Sequence, residues 1–228
     1  FLLGFAGEPK NGEDRRKTAL AALEGRVDKN STQDLDRVFA VAKDDASTDA
    51  IRDVAFQRLG ELPKEQLTPR LYQLFEAKKW KVRWVAASLL LKTIAPKQLP
   101  EFLRKLPATN TTKMGMTEGL SYGGIIAKME VPSGEPKPHD LLLPYLTGKD
   151  FGAKMVAIGF FYEGKKADQA ALKPVEEDKT AVPKCEKEDD CQWHCDVPKT
   201  PGGKETELKE VATVSDLVRL CVLPTMTK

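Results

Sequence analysis

Neither sign of charge dominates this chain of 228 residues, in which 36 Lys and Arg stand against 34 Asp and Glu for a formal net charge of +2. Without a strong global field the chain carries no electrostatic footprint for nucleic acid, an anionic membrane surface or an acidic substrate. Long apolar runs are missing as well. No stretch approaches the roughly 20 residues that a helix needs to cross a bilayer, and the apolar opening Phe1-Leu2-Leu3-Gly4-Phe5-Ala6 is far too short. Histidine is scarce: His139 lies between Pro138 and Asp140, His194 lies among cysteines beside Trp193, and neither has a catalytic neighbour in sequence. Cysteine is absent before position 185.

What is present is a hydrophobic content of 41%, enough at this length to bury a real core in one extended domain or two small ones. The apolar opening turns abruptly into Glu8-Pro9-Lys10-Asn11-Gly12-Glu13-Asp14. One reading makes the opening the tail of a secretory signal, with Gly4 and Ala6 as the small residues of a cleavage site and hence an N-terminal membrane-targeting role. The other packs those apolar residues on the first helix. Residues 1–14 are accordingly set apart as an N-terminal tail.

From Asp34 onward the apolar residues fall at helical spacing. Leu35, Val38, Phe39 and Ala42 predict one helix, Asp44-Asp45-Ala46-Ser47-Thr48 a turn, and Ile51, Val54, Ala55, Leu59 and Leu62 a second helix. Thr48 or Asp49 can cap the second helix, and Pro63 closes it because proline has no backbone N–H to donate. The same hairpin recurs with Leu67, Leu71, Leu74 and Phe75, then Lys78-Lys79, then Val82, Val85, Ala86, Leu89, Leu90 and Ile94 before Pro96. Ile51-Arg52, Val54-Ala55 and Leu59 lie 31 residues ahead of Val82-Arg83, Val85-Ala86 and Leu90, an internal repeat. A third, looser unit pairs Leu99, Phe102, Leu103 and Leu106 with a glycine-interrupted helix from Lys113 to Met129. A fourth places Leu141, Leu142, Leu143, Tyr145 and Leu146 before Thr147-Gly148-Lys149-Asp150, after which come Lys154, Val156, Ala157 and Phe161. A basic residue thus recurs at Arg52, Arg83, Lys113 and Lys154. Repeats of this period predict stacked helical hairpins, since one hairpin cannot cover its own apolar face.

Ile51-Arg52-Asp53-Val54-Ala55 with Leu59-Gly60-Glu61-Leu62, and Val82-Arg83-Trp84-Val85-Ala86-Ala87 with Leu89-Leu90, resemble the V-R-x-x-A-A-x-x-L-G core of HEAT-repeat second helices. The resemblance extends over roughly residues 31 to 163. It departs from the family in the third unit, where Met114-Gly115-Met116 replaces valine and alanine. It implies a right-handed superhelix with a concave binding surface lined by second helices. It also implies pairing of the recurrent basic residue with an acid near the hairpin turn, for which Asp49 with Arg52 and Asp150 with Lys154 are the candidates. The basic ladder is read as structural, because charge at regular helical spacing serves caps and solvated faces.

After Tyr162 the composition shifts to a charged segment with Pro174, Pro183, Pro198, Pro201 and a Gly202-Gly203 pair. Only residues 167–175 and 211–223 have the apolar content to fold back, so 164–228 reads as a loop-rich appendage in need of staples. All four cysteines lie there, at Cys185, Cys191, Cys195 and Cys221. Two disulfides would staple the segment and place the protein in an oxidising compartment. Zinc held by Cys185, Cys191, His194 or Cys195, and Cys221 is the alternative, but the spacing lacks a C-x-x-C knuckle. If residues 192–194 are helical, Cys185 with Cys195 and Cys191 with Cys221 is the favoured pairing.

One string resembles catalytic machinery. Gly119-Leu120-Ser121-Tyr122-Gly123 fits the G-x-S-x-G nucleophile elbow, and Asp140, Asp150 or Asp168 followed by His194 has the order of a triad. An elbow needs a buried strand before the serine, and residues 111–117 do not read as one. The glycines instead suit close helix approach or a helix break, and a break would expose backbone around Ser121 and Tyr122 as a contact groove. Trp80 and Trp84, at i and i+4 with Lys81 and Arg83 between them, make either a contact patch or packing between hairpins; packing suits Trp84, and Trp80 stays open.

The sequence therefore predicts an all-α chain: a short α-solenoid of about four hairpins over residues 15–163, followed by a disulfide-stapled appendage. The expected role is a non-enzymatic, extracytoplasmic (periplasmic or secreted) scaffold that binds another protein or peptide, with no cofactor and no metal. Trp80, Arg83, Ser121 and Tyr122 are its candidate partner-binding residues. A serine hydrolase using Ser121 is the competing expectation.

Overall fold

A computed structural model describes all residues except 29, 78, 107–112, 164–168, 183–193, 201–202 and 227–228, and among those described it leaves out the side chains of 80, 113–118, 169 and 225–226. The described part is mostly helical and contains one two-stranded sheet. It divides into two compact units, Phe1–Ile94 and Ala95–Lys228, and the division falls inside the stretch expected to form one repeat domain.

The first unit contains α1 (Leu2–Gly7), α2 (Glu13–Ala21), α3 (Thr32–Lys43), α4 (Asp49–Gly60), α5 (Lys64–Gln73) and α6 (Trp80–Leu91). These pack as consecutive pairs, α1 with α2, α3 with α4 and α5 with α6. Contacts also run between like members of neighbouring pairs, α1 to α3, α2 to α4 and α4 to α6. The apolar spacing singles out no helix before Asp34, yet Leu3 and Ala6 of α1 and Ala19 and Leu20 of α2 are buried. Polar caps start the next pair: Ser31 Oγ accepts from Asp34 N at 3.2 Å and Thr48 Oγ1 from Ile51 N at 3.4 Å. Thr48 therefore takes the capping role, and Asp49 is released for ion pairs.

The second unit contains α7 (Leu99–Lys105), α8 (Lys113–Ala127), α9 (Pro138–Leu142), α10 (Phe151–Tyr162) and α11 (Gln169–Leu172). The strands β1 (His194–Pro198) and β2 (Thr206–Glu210) and a helical run from Val214 to Met226, π-helical over Leu217–Val222, complete it. Its centre is α10, in which every residue from Gly152 to Gly159 is buried, as a helix apolar on all sides must be. Surrounding it are α7, α8, α9, α11 and a 3-10 turn over Leu143–Thr147. The first helix expected at 141–146 is thus only one turn of α9 followed by that 3-10 turn, with Pro144 unable to extend the helical bonding.

Segments 172–182 and 211–222 contribute to this core, as Leu172, Val175, Val182, Val211, Val214, Val218 and Val222 are all buried. Backbone bonds from Val182 N to Ala212 O (2.9 Å) and from Val214 N to Thr180 O (3.0 Å) tie the two segments together. The sheet corrects the purely α expectation: β1 and β2 pair antiparallel with Asp196 opposite Leu208. Thr206-Glu207-Leu208-Lys209-Glu210 holds a single apolar residue, Leu208, and so presents no periodic apolar face to read as either helix or strand.

Candidate functional site

The recurrent basic residues act on their own hairpins. Arg52 is 3% exposed, and its Nη2 donates to Asp44 O at 2.7 Å and Asp45 O at 3.2 Å, carbonyls just past the end of α3. Its Nη1 meets Asp49 Oδ1 at 3.3 Å, which is the acid pairing expected at this turn. Arg83 repeats the device, donating from Nη1 to Ala77 O at 2.9 Å, just beyond the 3-10 turn that follows α5. Arg16, which the sequence reading passed over, does the same: buried in α2, it donates from Nε to Ala6 O of α1 at 2.7 Å. A guanidinium offers several donors to carbonyls that a helix end leaves without partners, and its charge suits the negative end of the helix dipole.

Arg16, Arg52, Arg83 and Lys154 are each the fourth residue of their helix. Three residues on stand Ala19, Ala55, Ala86 and Ala157, and seven on stand Leu23, Leu59, Leu90 and Phe161, all buried. That basic-x-x-Ala-x-x-x-large pattern is the signal that would have found the α1/α2 pair. Lys154 departs from its expected partner. Asp150 caps α10 by accepting from Ala153 N at 3.0 Å, and the buried Lys154 ammonium pairs instead with Asp178. A lysine inside an apolar helix needs a buried counter-charge, and the C-terminal segment supplies it. Burial pushes the Asp178 carboxyl up, but hydrogen bonds from Lys154 and Thr180 hold it below its usual 3.8. The Lys113 side chain lies outside the described residues.

The G-x-S-x-G string lies wholly inside α8, so the strand-to-helix turn of a nucleophile elbow is not formed there. Its glycines face α10. A Cβ on Gly123 would overlap Phe160 N and Val156 O, one on Gly119 would stand 2.6 Å from Met155 Cβ, and one on Gly159 would overlap Leu120 O. Backbone therefore meets backbone across this helix pair, a contact that only glycine permits. Tyr122, expected at a partner surface, is a core residue: it is 1% exposed, with its ring edge-on to Phe102 at 5.9 Å. Ser121 is half-buried on the same helix. Of the triad candidates, Asp140 meets His139 Nδ1 at 3.0 Å, Asp150 caps α10, His194 begins β1, and Asp168 lies outside the described residues.

Trp80 opens α6, but its side chain lies outside the described residues. Trp84 is 38% exposed rather than packed between hairpins, because the buried face of α6 is carried by Val82, Ala86, Ala87 and Leu90. Near the charged ends of α4 and α6, Lys81 Nζ meets Asp49 Oδ2 at 2.5 Å and Lys79 Nζ donates to Asp45 O at 2.8 Å. The Lys81 hydrogen bond lowers the Asp49 pKa, and Lys81 is raised in turn. In the second unit an open depression of about 540 Å³ is lined by Pro100, Glu101, Leu103, Arg104, Tyr145 and Asp150.

Cys195 is joined to Cys221 by a disulfide with a Cα–Cα distance of 5.6 Å, which replaces the favoured pairings of Cys195 with Cys185 and of Cys221 with Cys191. That expectation rested on a helix at residues 192–194, whereas His194 and Cys195 extend along β1 against the π-helical turn that carries Cys221. Cys185 and Cys191 lie outside the described residues. The disulfide takes Cys195 and Cys221 out of the zinc alternative. Among the described residues no group of His, Cys, Asp and Glu is placed to hold a metal ion, and no helix is long and apolar enough to cross a membrane. Comparison with family models, with curated proteins and with solved structures finds no match for the chain.

Proposed function

We propose that this protein is an extracytoplasmic, non-enzymatic scaffold built on HEAT-like helical hairpins, which binds another protein or peptide along the surface formed by its second helices. The observation that carries this reading is the repeated hairpin device. An arginine in the second helix of each pair in Phe1–Ile94 is spent on carbonyls at or just past the end of the first helix. These arginines are thus committed to holding hairpins together, and the pairs contact their neighbours through like helices. Repetition of this kind builds extended surfaces, and extended surfaces suit macromolecular partners. The Cys195–Cys221 disulfide supports an oxidising compartment.

Site-specific photocrosslinking in the native compartment tests the reading. Probes at the exposed second-helix positions Gln57 and Trp84 are compared with probes at Gln33 and Arg37 on the exposed part of α3. Discrete adducts from the second-helix probes alone are expected. Equal crosslinking from both sets refutes the assigned surface, and a hydrolytic activity abolished by Ser121→Ala with the fold intact refutes the non-enzymatic role.

A further inference from the structure

The β1–β2 hairpin is a largely exposed part of the second unit. All five residues of β2 are exposed, and Leu208 retains 68% of its surface. Among the described residues β2 pairs only with β1, so its outer edge carries backbone groups with no strand beside them. An exposed edge is a template for another strand, and proteins usually blunt it with charge or proline.

The register shows which groups this edge offers. Lys199 N donates to Glu205 O at 2.9 Å, continuing the register in which Pro198 faces Thr206 and Val197 faces Glu207. Hydrogen-bonded and non-bonded pairs alternate along an antiparallel ladder. Glu205, Glu207 and Lys209 therefore turn their N–H and C=O toward β1, while Thr206, Leu208 and Glu210 turn theirs outward. Pro198, which has no N–H, falls at a non-bonded pair, as this phase requires.

We propose that β2 is a self-complementary edge through which two copies of this chain pair antiparallel about Leu208, forming a continuous four-stranded sheet. With Leu208 opposite its copy, the two leucines exchange N–H···O bonds, and Thr206 and Glu210 do the same across the two-fold axis. Glu207 then faces Lys209 of the second copy, and Lys209 faces its Glu207, at the closer, non-bonded positions where opposite charges attract. These two side chains already attract one another within a strand, at 3.1 Å. A parallel pairing in register would instead set Glu207 against Glu207. A shift of one residue would set charge against leucine and place every outward group opposite a residue whose groups turn toward β1. The charges that would protect this edge from other strands thus match its own copy. The contact is isologous, as a two-fold dimer requires. A strand of five residues buries little surface, so the dimer is weak and concentration-dependent.

Sedimentation velocity of the full chain, kept oxidised, reads the outcome. The mean mass should rise toward twice that of one chain from roughly 10 µM to 1 mM, the range in which a small interface dissociates. Leu208→Pro removes an outward N–H while sparing the bonds to β1, so it should abolish the rise; retention of the Cys195–Cys221 crosslink and of the amide protection of β1 shows that the hairpin survives. Glu207→Lys and Lys209→Glu should each be monomeric alone, and an equimolar mixture should dimerise. A wild-type chain that stays monomeric throughout overturns the proposal, whether or not the edge captures an extended peptide of another protein. Dimerisation that ignores all three substitutions overturns it too, by placing the interface elsewhere.

Discussion

The two units hold their helices together by different physics. In Phe1–Ile94, side chains do the joining: apolar faces pack between helices, and Arg16, Arg52 and Arg83 close hairpins by donating to helix-end carbonyls. In Ala95–Lys228 the central contact brings backbones together, since Gly119 and Gly123 of α8 and Gly159 of α10 leave no room for a Cβ. The difference bears on tolerance. A side-chain joint loses one set of contacts when altered, and its neighbours can adjust. A backbone joint has nothing flexible to move, so an added atom must separate two helices.

The sharpest way to break that contrast is Gly159→Val, which drives a branched side chain into Leu120. It should destabilise the chain by more than about 3 kcal/mol, beyond the usual range for overpacking because main chain is the obstacle. Urea denaturation measures the loss, and hydrogen exchange should place it in α8 and α10. Lys154→Met comes next. It strands the Asp178 carboxylate, only 16% exposed, and should cost roughly 3 kcal/mol, the lower end for breaking a buried ion pair, because Thr180 N still donates to Asp178.

This second variant also has a pH signature. A carboxylate whose pKa is lowered on folding adds stability above its unfolded value, and that stability disappears as pH falls through the folded value. Asp178 is lowered from 3.8, so wild type should lose stability faster than Lys154→Met as the pH drops below that value. Equal slopes in acid urea titrations would remove Asp178 as the group responsible. Arg52→Met should have a smaller effect, about 2 kcal/mol for the lost charge-assisted hydrogen bonds to Asp44 and Asp45. Its exchange signature should centre on the α3–α4 turn. Smallest of all is Lys81→Ala, whose exposed pair with Asp49 should shift the thermal midpoint slightly at low salt and not at all at high salt, where such pairs are screened.

Much of the first unit was legible because its elements announce themselves locally. The apolar spacing around Leu35, Ile51, Leu67 and Val82 places α3 to α6, and the 31-residue recurrence pairs Arg52 with Arg83. Arg16 escaped because α2 lacks the apolar residue before the arginine, where Arg15 stands in place of Ile51 or Val82. The glycines of α8 were readable as permissive residues, and close approach of helices was among the roles foreseen for them. Their spelling as a nucleophile elbow depended on a strand that α8 replaces. Tyr122 looked available beside them, but the face of α8 that it occupies is set by Phe102.

What the sequence determined by itself is the helices α3 to α8 and α10 and the identity of the repeated positions, since periodicity and capping act within a few residues. Tertiary structure alone decided the partners of the exceptional side chains. Lys154 meets Asp178 across 24 residues and Cys195 meets Cys221 across 26, and the glycines meet the backbone of another helix. Each depends on where distant segments come to rest. A buried charge, a disulfide and a bare backbone contact are all satisfied by proximity in space, and no local pattern encodes it.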